Sequence, residues 1–286
     1  MKMHRQTLID TATLAAASGR EDWVILDCRA VLTDRAAGAR LHAEGHIPGA
    51  LHADLEDRLS DMARTGQGRH PWPCAETFAR TLAGWGIAPD TQVVAYDADN
   101  GMYAARAWCL LRLFGHVRVA VLDGGLKAWR EAGLPLSIEA APPRARATPY
   151  PGDFDRARLF DHEDVIAHLA HGGLLVDARA PERFVGEVEP IDRRAGHVPG
   201  AVNRPFPTNL GADGRFKPRE ALFAEFAALL GGRTPSDLVA MCGSGVTACH
   251  HLLAMAHAGL EGGKLYMGSW SGWIDDPARP VATGEG

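Results

Sequence analysis

The chain has 286 residues, 46% hydrophobic and 23% charged, with 32 glycines and 18 prolines. Those fractions exclude extensive disorder, collagen-like repetition and coiled coil, and the length fits two domains of about 150 residues each. A net charge of −5 with the signs interspersed leaves no basic footprint for nucleic acid, and no apolar run of about 18 residues offers a membrane span.

In chain order, Asp10 is placed to cap a helix over residues 11–18 that Gly19 stops. The apolar run WVILD (23–27) reads as a buried strand and GHIPGA (45–50) as a Gly/Pro turn. A helix over 76–86, a strand over 92–97, a helix over 102–115, a strand over 117–125 and a short helix over LKAWREAG (126–133) follow. The second half repeats the pattern: helix 162–171, strand LLVDA (174–178), turn GHVPGA (196–201), helix 219–230, strand LVAMC (238–242), helix 247–258, then KLYMG (264–268). Strands alternating with helices predict parallel sheets covered by helices, an α/β fold.

The two halves are copies. VILDCRA (24–30) answers LLVDARA (174–180), EGHIPGALHAD (44–54) answers AGHVPGAVNRP (195–205), and VVAYDADNG (93–101) answers LVAMCGSGV (238–246). LDGGLKAWREAGLPL (122–136) answers YMGSWSGWIDDPARP (266–280). Between them AAPPRARATPYPGDF (140–154) lacks apolar periodicity and reads as a linker. The expected organisation is a domain over 1–140, a linker over 141–157 and a domain over 158–286.

The five cysteines, Cys28, Cys74, Cys109, Cys242 and Cys249, are odd in number with no CxxC pair. That argues against a disulfide framework or zinc site and for a reducing cytoplasm. The N-terminal stretch lacks the compact apolar region of a signal peptide.

Where the copies differ is informative. At the carboxyl end of a strand, where α/β sheets bind ligands, copy two has Cys242-Gly243-Ser244-Gly245-Val246-Thr247, while copy one has Asp97 in place of the cysteine. Gly243 and Gly245 let the backbone curl so that several N–H groups converge, and the following helix adds its positive end. Both favour a thiolate, and Thr247 is placed to cap the helix. The bland reading of Cys242 is a buried structural thiol beside a flexible turn.

The loop CGSGVTA (242–248), the two HxPGA blocks at His46 and His197, DGGLKAW and the duplicated layout resemble the tandem-domain rhodanese-type sulfurtransferases over nearly the whole chain. The resemblance implies two rhodanese-like domains, a catalytically silent N-terminal one and a C-terminal one with Cys242 as a persulfide-forming nucleophile. It implies ping-pong transfer from a small anionic sulfur donor to a thiol, cyanide or thioredoxin-like acceptor, without metal or organic cofactor. The uncharged loop is similar to that of 3-mercaptopyruvate sulfurtransferases, whereas thiosulfate enzymes typically resemble Cys-Arg-x-Gly-Val-Thr; thiosulfate is the runner-up donor.

In that family Ser244 would hydrogen-bond the donor ketone or developing enethiolate, and Arg183 matches the arginine that holds the donor carboxylate. A second family arginine falls on Arg193 or Arg194, with altered spacing. The family's Ser/His/Asp group falls on Ser244, His46 and, weakly, Asp34. His46 is equally readable as a structural imidazole of its turn, as is His197. Arg183 is readable as a salt bridge to Glu182 or Glu187.

Other readings are weaker. A cysteine phosphatase needs Cys-x5-Arg, and the position is Ala248. A non-turnover persulfide carrier would also use Cys242. His250 and His251 are adjacent on a helix and face different ways, which disfavours a shared metal. Cys249 reads as a packed thiol, Asp27 and Asp177 as turn anchors, and His70 in the loop GRHPWP (68–73) is unassigned.

Overall fold

The computed structural model describes residues 6–141 and 150–285; residues 142–149 of the expected linker therefore lie outside the described residues. Two compact units emerge. Unit 1 comprises Met1–Asp61, Pro73–Phe154 and Ala212–Phe216, and unit 2 comprises Met62–Trp72, Asp155–Gly211 and Lys217–Gly286. The main division thus falls at Phe154/Asp155, and each unit also takes in a short segment from the other half of the sequence.

Unit 1 is a five-stranded parallel sheet of β1 (Leu8–Ile9), β2 (Trp23–Asp27), β3 (Leu51–His52), β4 (Gln92–Tyr96) and β5 (Val119–Leu122), in the order β1-β5-β4-β2-β3. Its helices are α1 (Thr11–Ala16), α2 (Ala37–Glu44), α3 (Ala75–Gly84), α4 (Ala104–Leu113) and α5 (Gly125–Glu131). Central β4 is buried at every residue, as a parallel strand with both faces covered must be. The Asp10 carboxylate accepts from the Thr13 N–H at 2.7 Å, the expected cap of α1. Ile9, Leu14, Ile47, Val94, Tyr96, Leu122 and Trp129 form one core cluster.

Unit 2 repeats this topology. Its strands are β6 (Leu159–Phe160), β7 (Leu174–Asp177), β8 (Val202–Asn203), β9 (Leu238–Met241) and β10 (Lys264–Tyr266), all parallel, in the order β6-β10-β9-β7-β8. Its helices are α6 (His162–Ala170), α7 (Pro181–Val185), α8 (Arg219–Leu230), α9 (Ala248–Ala258) and α10 (Ser269–Trp273). From β7 the chain runs outward to β8, and from β9 it runs the other way to β10. The carboxyl ends of β7 and β9 therefore flank the point where strand order reverses, the usual ligand position in such sheets.

The aspartates ending β2 and β7 do anchor turns. Asp27 holds Arg29, whose Nη2 donates to the Gly45 carbonyl at 2.8 Å; Asp177 holds Arg179, whose Nη2 donates to the Gly196 carbonyl at 2.7 Å. Each buried pair thus ties a strand end to its HxPG turn. Burial acts to raise the Asp27 carboxyl, but bonds to Arg29 and His42 hold it down to about 2. Among the described residues no helix is long and apolar enough to cross a membrane.

Candidate active site

Cys242 follows the last residue of β9 and is buried, its N–H donating to Ser269 Oγ at 3.1 Å. Loop and α10 are zipped together: Trp270 N–H donates to the Cys242 carbonyl and Ser271 N–H to the Gly243 carbonyl, each at 2.9 Å. Gly245 turns the loop with φ +76°, a conformation L side chains rarely adopt. The backbone N–H groups of Gly243, Ser244, Val246 and Thr247 enter no hydrogen bond among the described residues. The loop then opens into the eleven-residue helix α9. Cys242 thus opens a loop with four unbonded amides that leads into a helix N-terminus, the makings of a cradle for negative charge.

The segment Met62–Trp72 brings two further side chains to this loop. His70 Nδ1 lies 2.8 Å from Ser244 Oγ, both residues being buried. Arg69 is held by its N–H to Ser271 Oγ at 3.0 Å, and its guanidinium lies over Gly243. A Cβ built on Gly243 would stand 3.0 Å from Arg69 Nη2 and 3.6–3.7 Å from the Nη atoms of Arg183. Two guanidiniums therefore converge beside the cysteine. Gly68, with φ +82°, allows the approach, since a Cβ there would meet the Gly268 carbonyl oxygen at 2.6 Å.

Arg183, on α7, is fixed by Glu189, to which its Nε and Nη2 donate at 3.0 and 2.7 Å. The pairing weighed with Glu182 or Glu187 does not form; Glu189, beyond the end of α7, takes it. Glu189 also accepts from the N–H groups of Ile191 and Asp192 at 3.1 and 3.0 Å. Burial acts to raise its carboxyl, and the Arg183 guanidinium with these two amides outweighs it, holding Glu189 below the usual carboxylate range.

Several expectations are corrected by these positions. His46 is not the imidazole on Ser244. Its Nδ1 faces the His42 carbonyl at 2.8 Å and its Nε2 the Glu139 carbonyl at 3.0 Å, and it stacks on His42. His197 does the same in its copy, with Nδ1 on the Phe184 carbonyl and its ring on Phe184. Asp34 is engaged with Arg40 at the surface. Neither Arg193 nor Arg194 joins Arg183: Arg193 donates to the Ile274 carbonyl and Asp275, Arg194 to the Arg279 carbonyl. The guanidinium that lies beside Arg183 is that of Arg69. Thr247 occupies the N-cap position of α9 without a side-chain capping bond. His250 and His251 are buried with Nδ1 atoms on Asn209, and Cys249 Sγ donates to the Gly245 carbonyl.

The sequence signal for Arg69 and His70 was a further repeat. Gly68-Arg69-His70 answers Gly214-Arg215-Phe216, and those are the segments that each unit takes in from the other half of the chain.

The Rhodanese-like domain family profile matches residues 10–132 and again 161–276. The chain belongs to the rhodanese-like family. Relatives of this tandem rhodanese-like chain include a protein of Pseudomonas aeruginosa named "Probable 3-mercaptopyruvate sulfurtransferase", 50% identical over 99% of this chain and 100% of its own. The thiosulfate sulfurtransferase of Bos taurus is 36% identical over 86% of this chain and 83% of its own. Among solved structures, the 3-mercaptopyruvate sulfurtransferase of Leishmania major superposes with a TM-score of 0.80 at 28% identity, over 93% of this chain and 73% of that one.

The first rhodanese-like repeat has its own loop filled from within. Asp97, directly after β4, accepts from the N–H groups of Gly101, Tyr103 and Ala104 at 2.9, 2.8 and 3.2 Å. A carboxylate on the chain thus closes this loop on itself, at the place where the second repeat has a thiol. Burial raises the Asp97 carboxyl against the pull of those three amides.

Proposed function

We propose that the chain is a sulfurtransferase that carries sulfane sulfur on Cys242, with 3-mercaptopyruvate as its donor. The observation that carries this reading is the juxtaposition, in unit 2, of the Cys242 cradle with the two guanidiniums over Gly243 and the His70–Ser244 pair. The names of the 50% and 28% identical relatives support the same donor.

In this reading Arg183 Nη1 and Arg69 Nη2, which have no hydrogen-bond partner among the described residues, hold the donor carboxylate. The Cys242 thiolate attacks the donor sulfur. The carbon–sulfur bond breaks and its electron pair passes to the keto group, giving the enolate of pyruvate, which takes a proton. Ser244, oriented by His70, donates to the ketone oxygen as charge develops there; donors of this type are worth about 3 kcal/mol each in comparable sites. The loop amides stabilise the persulfide left on Cys242. A thiol, cyanide or thioredoxin-like acceptor then attacks the outer sulfur and releases the Cys242 thiolate. The first repeat, its cradle closed by Asp97, is catalytically silent; five cysteines outside any disulfide suit a reducing cytoplasm.

Thiosulfate is the second reading, favoured by two guanidiniums beside the cysteine and by the bovine relative's name. The test is a donor comparison on wild type, Cys242→Ser and Cys249→Ser, with cyanide as acceptor and intact mass recorded after each donor. A one-sulfur gain and turnover with mercaptopyruvate, both lost in Cys242→Ser and kept in Cys249→Ser, is the expected result. Preference for thiosulfate would overturn the donor, and sulfur uptake without turnover would leave a carrier module.

A further inference from the structure

We infer that Asp192 sets the charge class of the donor, making the site select a monoanion over a dianion; this rests on the donor-binding reading of Arg69 and Arg183 above. Asp192 bridges the two guanidiniums. One carboxylate oxygen accepts from Arg69 Nη1 and the other from Arg183 Nη2 at 3.1 Å. Its side chain is 5% exposed, against 29% for Arg69 and 16% for Arg183. It therefore acts on the arginines through protein rather than through water.

The charges around the loop balance. Arg69, Arg179 and Arg183 are matched by Asp177, Glu189 and Asp192, each in contact with at least one of the three arginines. With the Cys242 thiolate of the proposed reaction counted, a donor with one carboxylate brings the site to −2, whereas a donor with two charges brings it to −3 in a poorly solvated place. The clamp can therefore orient a keto acid through the N–H edges that face Gly243, yet it offers no net positive charge to a dianion. Glu189 holds the 189–192 turn by two backbone amides, so Asp192 is positioned by the chain and not by the arginines alone. Arg69 also fills the space beyond Gly243, which leaves no room there for a cationic loop residue.

Neutralising Asp192 adds one net positive charge beside the donor. With an effective dielectric of about 20 and a separation of roughly 8 Å, one additional donor charge is then favoured by a factor of about 30.

The experiment compares kcat/KM for thiosulfate and 3-mercaptopyruvate, cyanide as acceptor, in wild type, Asp192→Asn and Asp192→Ser, at fixed ionic strength. A rise of tenfold or more in the thiosulfate-to-mercaptopyruvate ratio in both variants is expected. A wild type active on mercaptopyruvate with a ratio unchanged within twofold in the variants overturns this inference alone. A wild type that turns over neither donor overturns the donor-binding reading and this inference together. Should neither variant fold, competition on the wild type decides: pyruvate, a monoanion, should inhibit at least tenfold more strongly than sulfate, and equal inhibition overturns the proposal.

Discussion

Replacing Arg183 by Met separates two things this side chain does. Arg183 donates twice to Glu189 and once to Asp192, and the Glu189 side chain is 4% exposed. Removing the guanidinium leaves a covered carboxylate without its main partner, which costs about 3 kcal/mol in sites of this kind. For a unit of this size that corresponds to a fall in Tm of roughly 10 °C. The double variant Arg183→Met/Glu189→Gln removes the stranded charge while the amide oxygen of Gln still accepts from Ile191 and Asp192, so most of the lost stability should return.

Turnover should behave differently. The charge-assisted bond from Arg183 Nη1 to the donor carboxylate is absent in both variants, so kcat/KM for mercaptopyruvate should fall about 30-fold in each, mainly through KM. Differential scanning calorimetry and steady-state kinetics on wild type, single and double variants make the comparison. A double variant that regains stability and turnover together would show that Arg183 serves only to hold Glu189, and the donor clamp would have to be sought elsewhere.

Three further outcomes follow from named contacts. Gly68→Ala places a Cβ 2.6 Å from the Gly268 carbonyl oxygen and 2.8 Å from Ser271 Oγ, so the segment carrying Arg69 and His70 must shift. Turnover should drop at least tenfold, whereas Gly66→Ala, also at positive φ but with nothing within 4 Å, should cost only about 1 kcal/mol of stability; equal kinetics in the two would refute the positioning role of Gly68. Asp97→Ala strips three buried amides of their acceptor and should destabilise unit 1 by about 3 kcal/mol in urea unfolding, with turnover of the folded protein unchanged; a loss below about 1 kcal/mol would mean that the amides find other partners. His116 is buried, with Nδ1 bonded to the Tyr150 hydroxyl, and burial lowers its pKa from 6.5 to about 4. The folded state therefore holds it neutral, so its contribution is full above pH 6.5 and is lost as pH falls to about 4, roughly 3 kcal/mol in all. Urea midpoints of wild type and His116→Gln between pH 7 and 4.5 should converge as the pH falls; parallel curves would refute this.

The elements were legible where local chemistry decides them. Strand β4 and helix α8 follow from apolar runs and periodicity, and the observed ends, Gln92–Tyr96 and Arg219–Leu230, lie within a residue of the expected ones. The short strands β3 and β8, two residues each, carry no such pattern and exist through pairing with β2 and β7. At the site, Cys242, Ser244 and Arg183 were legible because each lies in a compact motif. Arg69 and His70 were not, since what places them is the bond from Arg69 N–H to Ser271, 202 residues away in sequence. His46 drew attention through a repeated motif, but a residue repeated in both copies, including the one without the cysteine, is better explained by what both copies need. The near-identical stacking and carbonyl contacts of His46 and His197 are that need.

Difference between the copies, rather than motif strength, is therefore the better guide to chemistry in this chain. Cys242 stands against Asp97, and His70 stands against Phe216. At the first of these positions the second unit holds a thiol and the first a carboxylate that fills its own loop amides; at the other, the second holds an imidazole on Ser244 and the first an apolar ring. Arg69 and Arg215 are shared by both copies, so the cation alone does not mark the reactive site. Its use depends on what neutralises it. In unit 2 that group is Asp192, five residues ahead of His197, where the first half has Leu41 five residues ahead of His46. The charge that Arg69 and Arg183 can offer a donor is thus fixed by a carboxylate outside every repeated motif, which is where a duplicated fold is free to set its specificity.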